Sequence, residues 1–290
     1  MKIAFVGFGK FGRALASLLD YNGTPYQFAE AGKPLTTPAE LVFLTVPTQF
    51  MRQALEDNRQ SITPDTVIVN AAKGIEEGTH LMGHQIVFSV DKFHKYYSLI
   101  GPSFAKGIID QDPTVVSLGY KDPTYLPIIK QTLQTPYFRV EEAKGFRALE
   151  LASALKNLYA ITCGYAHGLG FGPNTQAQLI TIGLHEFSLL AKAMHFADYD
   201  PMAYGVVGDL LMTCSSRESR NYSYGYGLAT QAGTPSASKA TTVEGYHTSH
   251  SISAIAKKHA IELPLAEFTA AIVDGEQPKV ETFRHFLSSY

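Results

Sequence analysis

Short, continuously apolar runs recur through the first half of the chain, and each is followed by a polar or glycine-containing turn. They cover residues 2–6, 26–29, 41–46, 66–70, 97–100, 115–120 and 137–140. Apolar runs of this length are typical of strands buried on both faces of a parallel sheet. Helical character follows at residues 13–19, from Thr48 as a candidate N-cap, and at 125–133. The pattern predicts an α/β fold with a doubly wound, mainly parallel sheet.

The strand signals stop near Glu142, and helical periodicity takes over for the rest of the chain. We expect helices over residues 149–163, over 175–194 with Asn174 as N-cap, and over a last region from 246 to 288. A chain of 290 residues is long enough for about two domains. The sequence therefore predicts a sheet domain at 1–142 and an all-helical C-terminal domain at 143–290.

The first predicted strand leads directly into a glycine-rich turn made of Gly7, Gly9 and Gly12, with Lys10 and Phe11 between them. Strand, GxGxxG and helix in this order are typical of Rossmann-like dinucleotide-binding domains. The glycines let the backbone approach a pyrophosphate at the positive end of the helix. We expect residues 1–142 to bind NAD or NADP through this turn; the alternative is a glycine turn without a ligand.

Glu30 follows the second predicted strand, 18 residues after Gly12, where an acid can hold the hydroxyls of the adenosine ribose. A carboxylate at that place repels a 2′-phosphate, so Glu30 slightly favours NAD over NADP as the cofactor. The alternative is a solvated loop residue. Residues 31–40 are too few for a further helix and predict a plain loop to the third strand.

One lysine, Lys156, interrupts the small and apolar residues of the helix predicted at 149–163. Its neighbours on a 3.6-residue period are mostly small: Ala152, Ser153, Tyr159, Ala160 and Cys163. Burial lowers the pKa of a lysine towards neutrality, which suits proton transfer to and from a carbonyl or alcohol oxygen. The alternative is a lysine whose ammonium group reaches water along an apolar stem.

Other charged residues stand where ligands of such folds bind. Lys73 follows the predicted strand at 66–70, and parallel sheets bind ligands at the carboxyl ends of their strands. Segment 215–221 contains Arg217 and Arg220 among serines and an asparagine, a composition that suits a phosphate site or a solvated loop. Asp209 can keep Lys156 charged or relay its proton if the fold brings the two together.

Histidine and cysteine spacing gives little support for a metal site. His247 and His250 have the i, i+3 spacing of two ligands on a helix, but no acid or cysteine nearby completes a site, so we predict no metal. Cys163 and Cys214 lie in different segments without CxxC spacing and are expected to be small buried residues.

Charge and hydropathy narrow the class of partner. A formal net charge of −2 without long charged runs argues against nucleic acid or a membrane surface. No apolar stretch reaches the roughly 20 residues of a membrane span, and the start of the chain has no cleavage-site pattern. We therefore expect a cytoplasmic protein that acts on a small molecule.

Five segments occur in an order that resembles the NAD(P)-dependent glycerol-3-phosphate dehydrogenases over nearly the whole chain. They are GFGKFG from Gly7, AAKGIE from Ala71, GPSFAKG from Gly101, ALKNLYAITCGYAHGLGFGPNTQAQLITIGLHE from Ala154 and GDLLMTCSSRESRNYSYG from Gly208. The last two are long enough to separate this family from other two-domain hydroxyacid dehydrogenases. The chain departs from the family pattern at His167, which replaces a usual acid, at Ile182, which replaces a frequent arginine, and in the shortened segment after Glu30.

The resemblance implies roles for individual residues. Lys156 would be the acid/base, and Lys73 and Asp209 would complete the catalytic set. The substrate would also contact Gly101, Ser103, Asn157, Thr213, Ser219, Arg220 and Asn221, with Arg220 and Asn221 on its phosphate. Besides the glycine-rich turn and Glu30, the cofactor would contact Lys73, Ala105, Arg220 and Glu244.

The implied reaction is the reversible reduction of dihydroxyacetone phosphate to sn-glycerol 3-phosphate by NAD(P)H, which feeds glycerophospholipid synthesis. A homodimer through the helical half is implied by the resemblance alone. One alternative is a related two-domain hydroxyacid reductase, which would not need a phosphate site at Arg220 and Asn221. The other is a catalytically weak nucleotide-sensing protein of the same fold, which would not need Lys156.

Overall fold

The computed structural model describes residues 1–92, 95–196, 198–230 and 243–290. Every strand predicted from the apolar runs is present, and the last one extends to Lys144, four residues beyond the predicted 140. The strands are β1 (Ile3–Val6), β2 (Tyr26–Ala29), β3 (Leu41–Leu44), β4 (Val67–Asn70), β5 (Tyr96–Ile100), β6 (Thr114–Tyr120) and β7 (Phe138–Lys144).

Within the described residues, the seven strands form one sheet in the order β2-β1-β3-β4-β5-β6-β7. The pairs from β2 to β5 are parallel, β6 runs antiparallel to β5, and β7 is parallel to β6. The prediction of a mainly parallel, doubly wound sheet is confirmed. The register pairs Val6 with Ala29 and Leu44 with Asn70, so the carboxyl ends of β1 to β4 lie along one edge. Loops that leave this edge share one site.

Helices pack on both faces of the sheet and form the remainder of the chain. Those between strands are α1 (Lys10–Tyr21), α2 (Met51–Asp57), α3 (Gly83–Val90), α4 (Ala105–Ile109) and α5 (Leu126–Leu133). The C-terminal helices are α6 (Phe146–Gly168), α7 (Pro173–Ala193), α8 (Asp209–Ser215), α9 (Arg220–Thr230), α10 (Glu244–Lys258), α11 (Pro264–Val273) and α12 (Val280–Ser288). The prediction of a helical second half is confirmed. None of the helices in the described ranges combines the length and the apolar character that a bilayer crossing requires.

Two predicted helix N-caps are wrong, and the last helical region is present as three helices. Thr48 is no N-cap, because residues Thr48–Phe50 form a 3₁₀ turn without a side-chain cap and α2 begins only at Met51. Helix α7 begins at Pro173, whose fixed φ suits the first helical position, so Asn174 lies inside the first turn. The predicted helical region from 246 to 288 is divided into α10, α11 and α12, and Pro264 begins the second of them.

Alternating side chains of each strand feed separate apolar cores on the two faces of the sheet. Ile3 and Phe5 pack on one face, whereas Ala4 and Val6 pack on the other. A third core surrounds α6, in which every residue from Ala148 to Ala166 is buried. A helix that is buried on all sides acts as the centre of its domain. It therefore presents Lys156 to packed neighbours and not to open solvent.

Helices α6 and α9 cross so closely that glycines occupy the contact. A Cβ added to Gly225 would lie 1.8 Å from the backbone oxygen of Ile161, and one added to Gly164 would lie 1.9 Å from that of Tyr222. These distances are far below van der Waals contact, so no side chain fits at either position. The crossing fixes the start of α9 against the middle of α6.

We expect Gly225→Ala to lower the free energy of unfolding by about 1–3 kcal/mol, because the backbone of a buried helix cannot withdraw from the added methyl group. Gly227 in the same helix has open space around its Cα, so Gly227→Ala should be neutral or stabilising by up to about 1 kcal/mol. Denaturant unfolding of the two variants and the wild type measures both effects. Equal stability of the two variants would contradict the close crossing.

Candidate active site

A cavity of about 640 Å³ lies between the carboxyl edge of the sheet and the helical half of the chain. Its wall brings together thirteen residues that the sequence singled out from segments far apart in the chain. They are Gly9, Lys10, Phe11, Lys73, Ser103, Ala105, Lys156, Asn157, Thr213, Ser219, Arg220, Asn221 and Glu244. Their convergence agrees with the rule that ligands of parallel sheets bind at the strand ends.

Lys156 is buried, with 5% of its surface exposed, and its ammonium group does not reach bulk water. Its Nζ donates hydrogen bonds to Asp209 Oδ1 and to Thr213 Oγ1, both at 2.8 Å. The alternative of a lysine that extends into water is therefore wrong. Burial, opposed by Asp209 and assisted by the nearby charge of Lys73, lowers the pKa of Lys156 to about 8. The side chain can thus give or take a proton near neutral pH.

Asp209 joins Lys156 to the second predicted lysine. Its carboxylate is fully buried at the first residue of α8, and its Oδ2 accepts a hydrogen bond from Lys73 Nζ at 2.9 Å. Lys73 also donates to the backbone oxygen of Gly101 at 3.0 Å, which is how Gly101 contributes to the site. Each oxygen of one carboxylate therefore binds one lysine, an arrangement that holds two cations at the edge of the same cavity.

A chain of amide hydrogen bonds connects the remaining elements around the cavity. Asn157 Nδ2 donates to the backbone oxygen of Lys73, and Asn157 Oδ1 accepts from Asn221 Nδ2, both at 2.9 Å. Asn221 Oδ1 in turn accepts the backbone N–H of Gly245 at 2.9 Å. These bonds tie β4, α6, α9 and α10 together at the two asparagines that were predicted to contact the substrate.

The start of α9 faces the cavity with a combination that suits an anion. Arg220 is exposed there, beside buried Ser219, whose Oγ accepts the backbone N–H of Tyr222 at 3.3 Å. Helix N-termini carry unpaired N–H groups and a positive partial charge, and arginine matches the geometry of phosphate oxygens. On the opposite side, Ser103 is buried and its Oγ donates to the backbone oxygen of Gly101 at 3.0 Å.

The glycine-rich turn has the shape that a dinucleotide requires. Gly7 adopts a φ of 96°, and a Cβ added there would lie 2.6 Å from the backbone nitrogen of Val46. A Cβ on Gly12 would lie 2.3 Å from the backbone oxygen of Gly7, so both positions need glycine. Gly9 precedes the first turn of α1 and faces the cavity with Lys10 and Phe11. The lack of side chains lets the backbone at the N-terminus of α1 approach a pyrophosphate closely.

Glu30 lies outside the wall of this cavity. Its Oε1 accepts a hydrogen bond from Arg13 Nη2 at 2.9 Å, and both side chains are exposed. The loop after Glu30 is plain, as predicted, and an isolated bridge to Lys33 closes it. The ribose contact of Glu30 stays a prediction.

Glu244 begins α10 and faces the cavity from the helical side. Its Oε2 lies 3.5 Å from the hydroxyl of Thr48, so Thr48 contributes to the site and not to a helix cap. Burial raises the pKa of Glu244 to about 7, against the opposing effects of Thr48, Arg220 and Lys156.

Several residues of the cavity wall had no role in the sequence analysis. They are Thr45, Val46, Pro47, Ala71, Ala72, Phe104, Lys106, Met212 and Glu218. Most of them follow the carboxyl ends of β3, β4 and β5, so the strand-end rule that selected Lys73 could have found them. The two histidines with metal-ligand spacing contact different carboxylates: His247 binds Glu77 and His250 binds Asp274. Cys163 and Cys214 are buried free thiols, as predicted.

A larger cavity of about 740 Å³ opens between β7 and residues 198–204. Its wall mixes acidic and basic side chains of β7 with Tyr199 and Tyr204, and it contains neither the glycine-rich turn nor the two lysines. We therefore assign the chemistry to the smaller cavity.

Comparison with known proteins gives one family. Residues 33–126 match the family description "NAD-dependent glycerol-3-phosphate dehydrogenase N-terminus", and residues 146–284 match "NAD-dependent glycerol-3-phosphate dehydrogenase C-terminus". Among curated proteins, glycerol-3-phosphate dehydrogenase [NAD(P)+] of Solidesulfovibrio magneticus is 35% identical over 266 residues, which are 90% of this chain and 78% of the relative. The protein of the same name from Brucella ovis is 34% identical over 242 residues, which are 83% and 73% of the two chains.

Solved structures agree at the level of the fold. The crystal structure of glycerol-3-phosphate dehydrogenase from Coxiella burnetii has a TM-score of 0.86 at 24% identity and covers 99% of this chain and 98% of its own. A D-mandelate dehydrogenase with NADH and anilino(oxo)acetate has a TM-score of 0.62 at 16% identity and covers 100% and 99%. The fold is thus shared with both proteins, and the overlap is tighter with the first.

Proposed function

The chain belongs to the NAD-dependent glycerol-3-phosphate dehydrogenase family, and we propose that Lys156, Lys73 and Asp209 carry out its reaction. It is an NAD(P)-dependent oxidoreductase that interconverts dihydroxyacetone phosphate and sn-glycerol 3-phosphate. The observation that carries our assignment of residues is the single buried carboxylate of Asp209 between the two lysines. The alternatives of a hydroxyacid reductase and of a nucleotide sensor are not favoured by the family match.

Proton transfer falls to Lys156. When bound, the nicotinamide cofactor supplies or accepts the hydride at the substrate carbon. In the reducing direction the ammonium group of Lys156 protonates the oxygen of the former carbonyl group, where negative charge develops. Asp209 keeps Lys156 oriented through its 2.8 Å hydrogen bond and supplies the counter-charge that the buried ammonium needs.

Lys73 adds a second positive charge at the same end of the cavity. Its Nζ shares Asp209 with Lys156 and lies at the end of β4, where it can polarise the carbonyl oxygen. We assign the substrate phosphate to Arg220 and Asn221 at the start of α9, with Ser219 beside them, and Asn221 also holds that helix against Asn157 of α6. Binding of a dianionic phosphate away from the reacting carbon positions the carbon for reaction.

The residues present fit a nicotinamide dinucleotide. The glycine-rich turn accepts the pyrophosphate, and Ala105, Arg220 and Glu244 face the same cavity from the other side. Glu30 favours NADH in our assignment, although its partner Arg13 places a cation that suits a 2′-phosphate at the same point. We further propose a cytoplasmic location, a homodimer through the helical half and a supply of glycerol 3-phosphate to glycerophospholipid synthesis, all from family membership.

The function is tested by the oxidation of NADH and of NADPH by the purified protein with dihydroxyacetone phosphate, dihydroxyacetone or a 2-ketoacid as acceptor. We expect turnover only with the phosphorylated ketone, because the charges at the start of α9 would bind its phosphate group. Turnover with the 2-ketoacid in place of the phosphorylated ketone would support the hydroxyacid reductase, and cofactor binding without any turnover would support the sensor.

We expect Lys156→Ala to retain cofactor binding and to lose turnover by several orders of magnitude, because a methyl group cannot deliver the proton. Titration of NADH fluorescence measures binding, and steady-state rates measure turnover. Exposed Lys33, in the loop after Glu30, provides the control, since Lys33→Ala removes a lysine charge that does not line the cavity. Near-normal turnover of Lys156→Ala would show that the lysine is only structural.

The pKa of about 8 for Lys156 predicts opposite pH dependence in the two directions of the reaction. Reduction of the ketone needs the ammonium form, so kcat should fall as the pH rises through about 8. Oxidation of the alcohol needs the neutral amine, so kcat should rise over the same interval. Rates at saturating cofactor between pH 6 and 10 measure both limbs, and limbs that run in the same direction would exclude Lys156 as the proton-transfer group.

A further inference from the structure

Glu150, on the first turns of α6, is a buried carboxylate outside the catalytic cavity. Only 3% of its surface is exposed, and it does not line the cavity. His84 donates to Glu150 Oε2 from its backbone nitrogen at 3.1 Å, and the Nδ1 of the same histidine lies 2.8 Å from that oxygen. The other oxygen, Oε1, accepts hydrogen bonds from the hydroxyl of Tyr96 and from Asn70 Nδ2, the latter at 3.3 Å.

A carboxylate in this place is costly unless it is satisfied, and apolar packing is often the more stable alternative. Although burial opposes it, the pKa of Glu150 is held below its usual range by His84 and by the hydroxyl of Tyr96. The group thus stays ionised and accepts hydrogen bonds from three different elements, α3, β4 and β5. Because an apolar side chain at this place could be equally stable, the buried charge points to a role other than stability.

One of those bonds leads to the catalytic loop. Asn70 is the last residue of β4, and its Oδ1 accepts the backbone N–H of Ala72 at 2.9 Å. The side chain of Asn70 therefore accepts a hydrogen bond from the backbone of Ala72 and donates one to the carboxylate of Glu150. Lys73 follows directly, so the conformation of residues 70–72 determines where its side chain begins.

The same loop is held a second time by the same helix. Asn157 Nδ2 donates to the backbone oxygen of Lys73 at 2.9 Å. Glu150 and Asn157 are seven residues apart in α6, which is about two turns, so they project from one face of the helix. Helix α6 thus holds this loop at two points: Glu150 binds Asn70 before Lys73, and Asn157 binds the backbone oxygen of Lys73 itself. Lys156 is the neighbour of Asn157 in the helix.

We propose that Glu150 is a positioning residue: through Asn70 it fixes the loop 70–73 against α6, so that Lys73 and Lys156 share the carboxylate of Asp209. This role rests on the proposed function, because Lys73 must be placed for the proposed chemistry. Loss of the hydrogen bond between Glu150 and Asn70 lets the loop that carries Lys73 move, without removing any group that touches substrate or cofactor.

The test compares Glu150→Gln, Asn70→Ala and the double variant with Glu186→Gln as the matched control. Glu186 is the appropriate control because it is also buried, at 1% exposure, and also accepts a hydrogen bond from a tyrosine, Tyr159 at 2.9 Å. Its remaining donors include the backbone N–H groups of Leu265 and Ala266 at the start of α11, far from the Lys73 loop. Thermal unfolding of each full-length variant gives the structural cost, and steady-state reduction of dihydroxyacetone phosphate gives kcat and KM.

We expect Glu150→Gln and Asn70→Ala each to lower kcat about tenfold while the KM of dihydroxyacetone phosphate changes less than about threefold. Because the two residues act along one path, the double variant should be no slower than the slower single variant. Glu186→Gln should keep its kcat whatever thermal stability it loses. Should Glu150→Gln fail to fold, Asn70→Ala alone still tests the path, since it leaves the carboxylate with its His84 and Tyr96 donors.

A second readout separates positioning from general destabilisation. Lys156 faces Lys73, Asp209 and Cys214, with Glu244 further along the cavity. Displacement of Lys73 removes a positive charge near Lys156 and leaves the negative charge of Asp209, so the pKa of Lys156 rises. The fall of kcat for reduction should therefore move to higher pH. Equal kcat losses in Glu150→Gln and Glu186→Gln, an unmoved limb, or multiplicative losses in the double variant would each overturn the proposal. Inactive wild-type protein would instead count against the proposed function.

Discussion

The proposed active site of this molecule depends on one buried carboxylate with a lysine on each oxygen. Asp209 binds Lys73 at 2.9 Å and Lys156 at 2.8 Å, and it has no exposed surface. Burial of an ammonium group costs several kcal/mol unless a counter-charge accompanies it, and two ammonium groups side by side repel each other. Asp209 offsets both costs, and the pKa of Lys156 still falls to about 8. The site therefore contains a buried lysine that can exchange its proton near neutral pH.

Such a cluster works only if three elements keep their relative positions, and helix α6 provides the reference. It is buried on all sides, so it has no freedom to tilt, and it carries Lys156 in its middle. The loop that carries Lys73 leaves the sheet at β4 and is tied back to α6 through Asn157. Asp209 begins α8, and the close crossing of α6 with α9 places Arg220 and Ser219 opposite. Rigid packing in the helical half thus determines the geometry at the edge of the sheet.

The side chains that line the cavity carry more positive than negative charges. Lys10, Lys73, Lys106, Lys156 and Arg220 all line or enter it, whereas Glu218 and Glu244 are its acidic lining residues. Substrate and cofactor each bring phosphate groups, so an excess of cations suits the combined load. Glu244 is a separate case, because burial disfavours its charged form and raises its pKa to about 7, so that the neutral acid is also populated near neutral pH.

Sequence alone predicted the succession of strands along the chain, the glycine-rich turn and the two lysines that line the cavity. Apolar runs and GxGxxG report local demands, burial on both faces and backbone room, and these demands are written in neighbouring residues. The same locality explains the wrong helix boundaries: Thr48 has the composition of a cap, but its hydroxyl is used by Glu244, which is 196 residues away. Asn174 was displaced from its cap by Pro173, whose ring fits the first helical position better.

Tertiary structure alone decided between the two interpretations of Lys156. Periodicity left Lys156 between burial and extension to water, and only Asp209, 53 residues further on, decides for burial. Glu150 is a polar residue in a mostly apolar helix, and only the folded structure shows its hydrogen-bond partners in β4, α3 and β5. A sequence pattern records which face a residue occupies, whereas the pKa and the partner of a buried charge depend on groups that meet only after folding.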